Sequence, residues 1–466
     1  MRRLAVLMAA LALAGCVVGP DYAPPRVELP PRFSNGAPNA PQLDRWWRRF
    51  NDPLLDSLVA EALASNLDLA AASARVAQAR AVRSASGAAR LPQVDAAASA
   101  ARARDVTPGP DGAFRAATTD VGQTGLQASW EIDLFGRIAR TVEGADANLA
   151  ATQADRDALR LALASEVART YLSLRGYERR AELQRQGFRS QLETAALTRR
   201  LFDAGEIGAV DRERAEALAA NTFAAIPALE AERAAAAHRL AILTGRPPAA
   251  LAERLAAPGA VRTPDQDLSA GLPADLVRRR PDVRAAERRL AAAYAEIGIA
   301  TADLYPRLTL TGSVGSLAGR TRGEDFATSR IWSLGAGLLG PLFDGGRRRA
   351  IVRLREAERD ESLARYRQSV LTGLEDVETA LVRYERERAR RERLSQALDR
   401  YARADDIVRR AWRAGEISFL DVLDTDRSLV AARDALAASE VEVDLAMVRV
   451  FAALGGGWPE ASALIS

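Results

Sequence analysis

The chain has 466 residues, with 65 Lys and Arg against 61 Asp and Glu, a formal net charge of +4 and a single cysteine. That length calls for about three ordinary domains or for one elongated architecture. Acidic residues are interleaved with the arginines throughout, which describes a solvated helix surface and excludes a basic nucleic-acid stripe, and one cysteine excludes an intramolecular disulfide.

Arg2 and Arg3 precede the apolar run Leu4 to Leu13, and Leu13-Ala14-Gly15-Cys16 follows. Basic, then apolar, then small residues is the order of a secretory signal, here residues 1–15. The run is shorter than the roughly 20 apolar residues of a spanning helix. Cys16 directly after Leu-Ala-Gly resembles the lipobox of bacterial lipoproteins. The resemblance implies cleavage before Cys16 and covalent lipid on its thiol and new amino group. Val17, where Asp would retain a lipoprotein inside, favours the outer membrane. Residues 16–45 carry Pro20, Pro24, Pro25, Pro30, Pro31, Pro38 and Pro41. Proline removes donors and fixes φ, so this segment is expected to be an extended tether and not a domain.

A first repeat is read over 46–245, with order starting at Trp46-Trp47. A helix carries Leu54, Leu58, Val59, Ala62 and Leu63, and a second runs from Asn66 to Arg90, where Pro92 stops it. Residues 93–135 read as a strand hairpin. Gln93 to Asp105 alternates weakly, and Thr107 to Asp120 is expected as a loop. The return strand puts Thr124, Leu126, Ala128, Trp130, Ile132 and Leu134 on one face and Gln123, Gln127, Ser129, Glu131 and Asp133 on the other. That is an apolar-out, polar-in strand of the length a tilted β-strand needs to cross a bilayer. From Arg137 to about Arg200 the stripe Leu159, Leu163, Val167, Tyr171 and Leu174 predicts one helix. Roughly 60 residues at 1.5 Å each give a rod of about 90–100 Å, too long for a compact globule. A turn at Leu201 to Gly208 leads to a returning helix, Val210 to Leu243.

Residues 246–273 form a proline-richer connector, and a second repeat follows over 274–456. Arg280-Pro281-Asp282 and Tyr305-Pro306 match Asn66-Leu67-Asp68 and Leu91-Pro92 at an offset of 214. Gly415-Glu416-Ile417 matches Gly205-Glu206-Ile207 at 210, and Leu454 is paired with Leu243 at 211. Four landmarks in one order are an internal duplication. The second hairpin, 307–343, has strands Arg307 to Val314 and Trp332 to Leu338 around a loop from Gly319 to Arg330. The long helix from Arg347 to about Trp412 alternates spacings of three and four at Leu363, Arg367, Val370, Leu374, Val377, Leu381 and Tyr384, which argues coiled-coil packing. The tail 457–466 reads as irregular.

Four membrane-type strands make a sheet with two open edges, which a bilayer does not allow because unpaired backbone groups there cost several kcal/mol each. If the hairpins enter the membrane, several chains must close them into one barrel. The polar faces (Gln127, Glu131, Thr309, Ser333) suit a watery lumen, and the physical reading is a conduit. Trp130, Phe135, Trp332 and Phe343 fit membrane-girdle aromatics, with sheet core as the alternative.

The lipobox followed by Val-Gly-Pro-Asp-Tyr, the Trp46-Trp47 to Pro53 segment, Asp133-Leu134-Phe135-Gly136-Arg137, Leu342-Phe343-Asp344-Gly345-Gly346-Arg347 and the run Ala414-Gly415-Glu416 to Asp424 resemble the TolC-like outer-membrane efflux lipoproteins of NodT type, the outer-membrane factors of resistance–nodulation–division pumps. The resemblance implies a mixed α and β membrane protein: a homotrimer with a twelve-stranded β-barrel continued by a long periplasmic α-helical barrel. It implies a passive duct for drugs and other small molecules, working with a periplasmic adaptor (membrane fusion protein) and an inner-membrane transporter, set in outer-membrane lipid, with no nucleic acid. A duct for protein or peptide secretion, or a lipid-anchored periplasmic coiled-coil scaffold, are the competing readings. By resemblance the helix–helix turns are the periplasmic tips, so Asp424, Asp421 and Asp211 are aperture candidates. The alternative is an ordinary carboxylate favoured at a helix N-terminus, and the aperture reading is stronger for Asp424 than for Asp421 and Asp211. Where the family places an aromatic–Asp and Arg–backbone latch, Trp412 is present but Ile417 stands in the arginine's place. His238 is the sole histidine, and no Walker-type loop, triad or metal-ligand spacing occurs, so neither an enzyme, a metal nor a cofactor beyond the lipid on Cys16 is expected. Glu375-Asp376 reads as a solvated pair.

Overall fold

The computed structural model describes residues 17–34, 43, 45–108, 110, 112–257, 259, 271, 273–274, 279–321 and 327–456. The duplication is explicit in element lengths. Helix α1 (Pro53–Ser65) leads to α2 (Leu67–Ala88), strands β1 (Gln93–Pro108) and β2 (Phe114–Ile132), α3 (Arg137–Asp203) and α4 (Ala209–Leu243). The second half runs α5 (Pro281–Ala302), β3 (Arg307–Thr321), β4 (Ala327–Leu339), α6 (Arg347–Arg413) and α7 (Phe419–Ala453). α2 and α5 have 22 residues each, α3 and α6 have 67, and α4 and α7 have 35.

Both repeats end their helices in the same way. Gly205, Gly245, Gly415 and Gly455 all have positive φ. Each donates to the carbonyl three residues back, while the next residue donates five back, as in Gly205 N to Phe202 O and Glu206 N to Leu201 O. This is the Schellman stop, which needs a residue free to adopt the left-handed region. It aligns Gly245 with Gly455 at an offset of 210, so the pairing of Leu243 with Leu454 at 211 is one residue out of register.

The chain forms two compact units, one from the described residues of 1–26, 75–153 and 285–367, the other from those of 27–74, 154–284 and 368–456. The first holds a four-stranded antiparallel sheet in the order β1-β2-β3-β4. Its strands are longer than the alternation predicts. β1 continues to Pro108 and β2 starts at Phe114, so most of the stretch expected as a loop pairs, Thr107 with Arg115 and Arg104 with Thr118. Likewise Gly319 pairs with Ala327. Backbone pairing extends past the apolar alternation because threonine and arginine also suit a solvated strand.

The second unit contains the main core. Trp46, Phe50, Leu55, Leu58, Val167, Tyr171, Leu174, Val377, Tyr384 and Phe451 are buried together, and Trp46 stacks on Phe451 at 5.4 Å. Asp52 caps α1 by accepting from Leu54 N and Leu55 N, and it also accepts from the Tyr171 hydroxyl at 2.5 Å. Burial and that bond push the Tyr171 phenol above its ordinary range. Along α6 the buried positions include Tyr366, Val370, Val377, Leu381 and Tyr384, whereas Arg367 of the expected stripe faces water. Among the described residues of the tether, Phe33 and Leu43 are buried in this core. Leu251 and Leu255, from the segment read as connector, join them.

Candidate functional site

In the sheet, register and pleat sort the side chains into two faces. One carries rows such as Val94–Ala128–Gly312–Leu334 and Ala96–Leu126–Val314–Trp332. Trp332, Leu334 and Leu338 are 78%, 82% and 67% exposed. This apolar face runs along β2 from Ile132 to Gly122 and ends at Asp120, which accepts from Arg102 on β1 (2.6 Å) and Arg320 on β3 (3.0 Å). The stretch matches the roughly 9–11 residues that a tilted strand needs to cross a bilayer. The opposite face is polar: Asp95, Gln127, Ser313 and Ser333 form one row, with the two serine hydroxyls 2.8 Å apart. Gly125 faces Gly315 across β2 and β3, and a Cβ on either would lie 2.8 or 2.4 Å from the opposing backbone. Only glycine permits that approach.

The four girdle candidates divide into two pairs. Trp130 is half-buried and donates its indole N–H to Arg90 O at 3.1 Å, and Phe135 stacks on Tyr305 at 4.6 Å. Trp332 and Phe343 are exposed, Phe343 at 92%. Phe135 and Phe343 lie beyond the strands, in the corners where the sheet hands over to the long helices. There Asp133 accepts from Ile138 N and Ala139 N, and Asp344 from Gly346 N and Arg348 N. The two motifs singled out in the sequence are thus helix-starting corners whose aspartates satisfy orphan donors.

Cys16 lies outside the described residues, but the chain just after it is docked on the first unit. Val18 N donates to Phe135 O at 3.2 Å. Arg140, with only 4% of its side chain exposed, reaches Asp21 (2.7 Å) and Glu143 (2.7 Å). Gly19 sits so close to Gly298 that a Cβ would lie 2.6 Å from its Cα. Tyr22 packs edge-on against Tyr294 and donates to Glu287.

At the helix–helix turns, Asp421 accepts from both the backbone N and the hydroxyl of Ser418, a capping box that starts α7. Asp424, one turn on, is 60% exposed and pairs with Arg427 at 2.5 Å. Asp211 sits in the first turn of α4. Trp412 packs on Phe419 at 5.3 Å, and Phe419, Val422 and Leu423 bury themselves against Ala215 of α4. Sequence reading missed the neighbouring Asp426, whose side chain is 7% exposed. It accepts from Arg409 of α6 (2.8 Å) and from Gln191 of α3 (2.9 Å), while Arg409 also grips Asp405. Burial pushes the Asp426 carboxyl above its ordinary value, against the opposing pull of Gln191 and Arg409. A signal existed: Arg199 and Glu216 stand 210 residues earlier and form the same pair.

His238 is exposed, and Asp376 is tied to the Arg280 guanidinium at 2.9 Å, so Glu375-Asp376 is not simply solvated. Among the described residues no helix is long and apolar enough to cross a membrane, and no group of three or more His, Cys, Asp or Glu could hold a metal ion.

The family described as outer membrane efflux protein matches residues 58–246 and 272–456, one match for each repeat. The chain belongs to the outer membrane efflux protein family. It is 35% identical to Nodulation protein T of Rhizobium leguminosarum bv. trifolii, over 96% of each chain. It is 33% identical to the pyoverdine export outer membrane protein OpmQ of Pseudomonas aeruginosa, covering 98% of this chain and 97% of that one. A solved structure of the outer-membrane channel OprN superposes with a TM-score of 0.89 at 38% identity, covering 95% of this chain and all of the other. The protein is therefore an outer-membrane efflux channel and not an enzyme.

Proposed function

We propose that three copies of this channel close their sheets into one twelve-stranded barrel and that the duct passes small molecules outward from an inner-membrane transporter and a periplasmic adaptor. The carrying observation is the sheet itself: β1 and β4 each have one unpaired edge, and an apolar face stands open between them. Lipid cannot satisfy such edges, so neighbouring copies must. Two copies would give eight strands, whose interior fills with side chains, and three is the smallest number that leaves a watery lumen. The row Asp95–Gln127–Ser313–Ser333 then lines the lumen, while Trp332 and Phe343 face lipid. Lipid on Cys16 would anchor the docked strap Val17 to Tyr22 beside the corner at Phe135. Asp424, exposed at the turn, supplies one carboxylate per copy around the aperture. Small cargo is favoured by the relative named for pyoverdine export.

The test is single-channel conductance in a planar bilayer together with oligomeric mass in detergent on the same sample. A trimer with discrete openings is expected. A monomer without conductance would overturn the duct in favour of a periplasmic scaffold.

A further inference from the structure

We infer that the outer end of the apolar sheet face binds a lipid whose headgroup carries two phosphates, one held by Arg330 and the other by Arg102, Arg104 and Arg320; this rests on the barrel reading above. In register those four arginines share the face of Trp332 and Leu334. Trp332 lies in the row Ala96–Leu126–Val314–Trp332, and the next row toward the hairpin tips is Ala98–Thr124–Ser316–Arg330. Two rows further on stand Arg102, Asp120 and Arg320, and Arg104 follows beside Thr118. An aromatic and then a basic tier is the order in which side chains meet the polar edge of a bilayer. The corners at Asp133 and Asp344 lie at the other end of the strands, where the long helices begin. The protein extends into the periplasm, so the arginine tiers lie toward the cell exterior.

At the level of Arg330 the face is otherwise apolar or hydroxyl-bearing, and neither Arg330 nor Arg104 has a carboxylate partner among the described residues. A lone guanidinium against hydrocarbon is costly unless its long stem lifts it to an anion at headgroup level. Arg330 borders a depression of about 670 Å³, lined also by Leu126 and Val314 and by the hydroxyl residues Thr124, Ser316 and Thr328. Apolar walls with hydroxyl and guanidinium donors at one end suit an acyl chain that leads to a phosphate. In the second tier Arg102 and Arg320 share Asp120, so with Arg104 three guanidiniums meet one carboxylate. At this level the opposite face carries Asp105 and Arg115, which balance, so among the described residues the positive excess lies on the outward side. The tiers are two rows apart, about 13 Å along a strand. One phosphate cannot reach both, whereas a disaccharide with a phosphate at each end spans them. The ligand is therefore a diphosphorylated glycolipid of the outer leaflet and not a phospholipid with one phosphate.

The full-length protein is titrated in non-ionic detergent, and bound lipid is counted by native mass spectrometry. The probes are diphosphorylated lipid A, its monophosphoryl form, phosphatidylglycerol and inorganic phosphate. One diphosphorylated lipid per copy is expected, with the monophosphoryl form bound about tenfold more weakly, the factor for one lost charge-assisted hydrogen bond. Arg330→Gln and Arg104→Gln each remove a guanidinium without orphaning a carboxylate, and each should weaken binding by about the same factor. Arg330→Lys keeps the charge without the planar fork and should fall between wild type and Arg330→Gln. Arg115→Gln removes the same charge at the same level on the opposite face and should stay within about twofold of the wild type. Equal weakening by Arg115→Gln would reduce the effect to net charge and overturn the site. Phosphatidylglycerol bound as tightly as the diphosphorylated lipid, or inorganic phosphate displacing it at equal affinity, would overturn the two-phosphate lipid as the ligand. Wild-type trimers that conduct in planar bilayers yet bind none of these lipids overturn the site and leave the duct. Wild-type protein that neither forms trimers nor conducts overturns the duct, and this inference with it.

Discussion

The two helix hairpins share one backbone and differ in what their side chains do at the turn. The second starts with Ser418 and Asp421 in a reciprocal capping box, packs Phe419 on Trp412 and buries Asp426 with Arg409. At the equivalent places the first has Gly208 without a side-chain cap, Phe202 covered by the Arg212 guanidinium, and a half-buried Glu216. Helix lengths and Schellman stops survived duplication because they are set by a few glycines and by backbone geometry. Side-chain bonding diverged, and the second hairpin took on the contacts that cross to its neighbour.

The same contrast appears where the repeats begin, and it offers the largest effect. Asn66 caps its helix through Leu69 N and donates to Leu243 O. Its counterpart Arg280 donates to Ala453 O, the equivalent carbonyl, and also grips Asp282 and Asp376. Arg280→Ala takes a donor from three acceptors, of which Asp282 keeps Val283 N, and only 10% of the arginine side chain is exposed. Its two carboxylate partners are half exposed, so a cost of about 3 kcal/mol is expected, the low end for a broken buried pair. Asn66→Ala is expected to cost about 1 kcal/mol, as a lost N-cap does. Thermal unfolding in detergent separates them, and equal shifts would mean that the extra partners of Arg280 contribute nothing.

The sequence made the elements and the duplication legible because period-two and helical stripes, prolines and turn glycines are local signals. The apolar face ending in Ile132 and the corners at Asp133 and Asp344 were visible for the same reason. What stayed hidden was tertiary. Asp426 looks like any carboxylate on a charged helix, and only packing against Gln191, 235 residues away, makes it special. The strap after Cys16 was hidden likewise, because a proline-rich run gives no hint that Gly19 meets Gly298. The strand ends at Thr107 and Arg115 were read as loop since polar strands lack the alternation on which that reading depends.

A middle-sized effect lies where the hairpins touch. Gly176 and Gly187 on α3 face Val441 and Val430 on α7, and a Cβ would lie 2.5 and 2.9 Å from the valine methyls. The second-repeat counterparts are Arg386, which is exposed, and Ala397. Valine is stiff about χ1, so Gly176→Ala cannot be absorbed by a rotamer change and should cost about 2 kcal/mol through overpacking. Arg386→Ala should stay within about 0.5 kcal/mol of the wild type. If Gly176→Ala melts with the wild type, the close approach of α3 and α7 is not what holds the hairpins together.

The smallest effect is the one that makes the repeats more alike. Gly208 precedes α4 with φ −78° and ψ 158°, an extended conformation open to any residue, and a Cβ there meets nothing within 4 Å. Asp211 already occupies the third helical position, as Asp421 does after Ser418. Gly208→Ser would therefore complete the same capping box with no strain. The serine hydroxyl gains an orphan helix N–H, and the unfolded chain loses the extra freedom of glycine. Together these should stabilise the start of α4 by about 0.5–1 kcal/mol. Hydrogen exchange at residues 209–213 should slow severalfold while exchange at 419–423 stays unchanged. No slowing would mean that the first turn is limited by motion of the whole hairpin, so that its missing cap is not the reason the two tips differ.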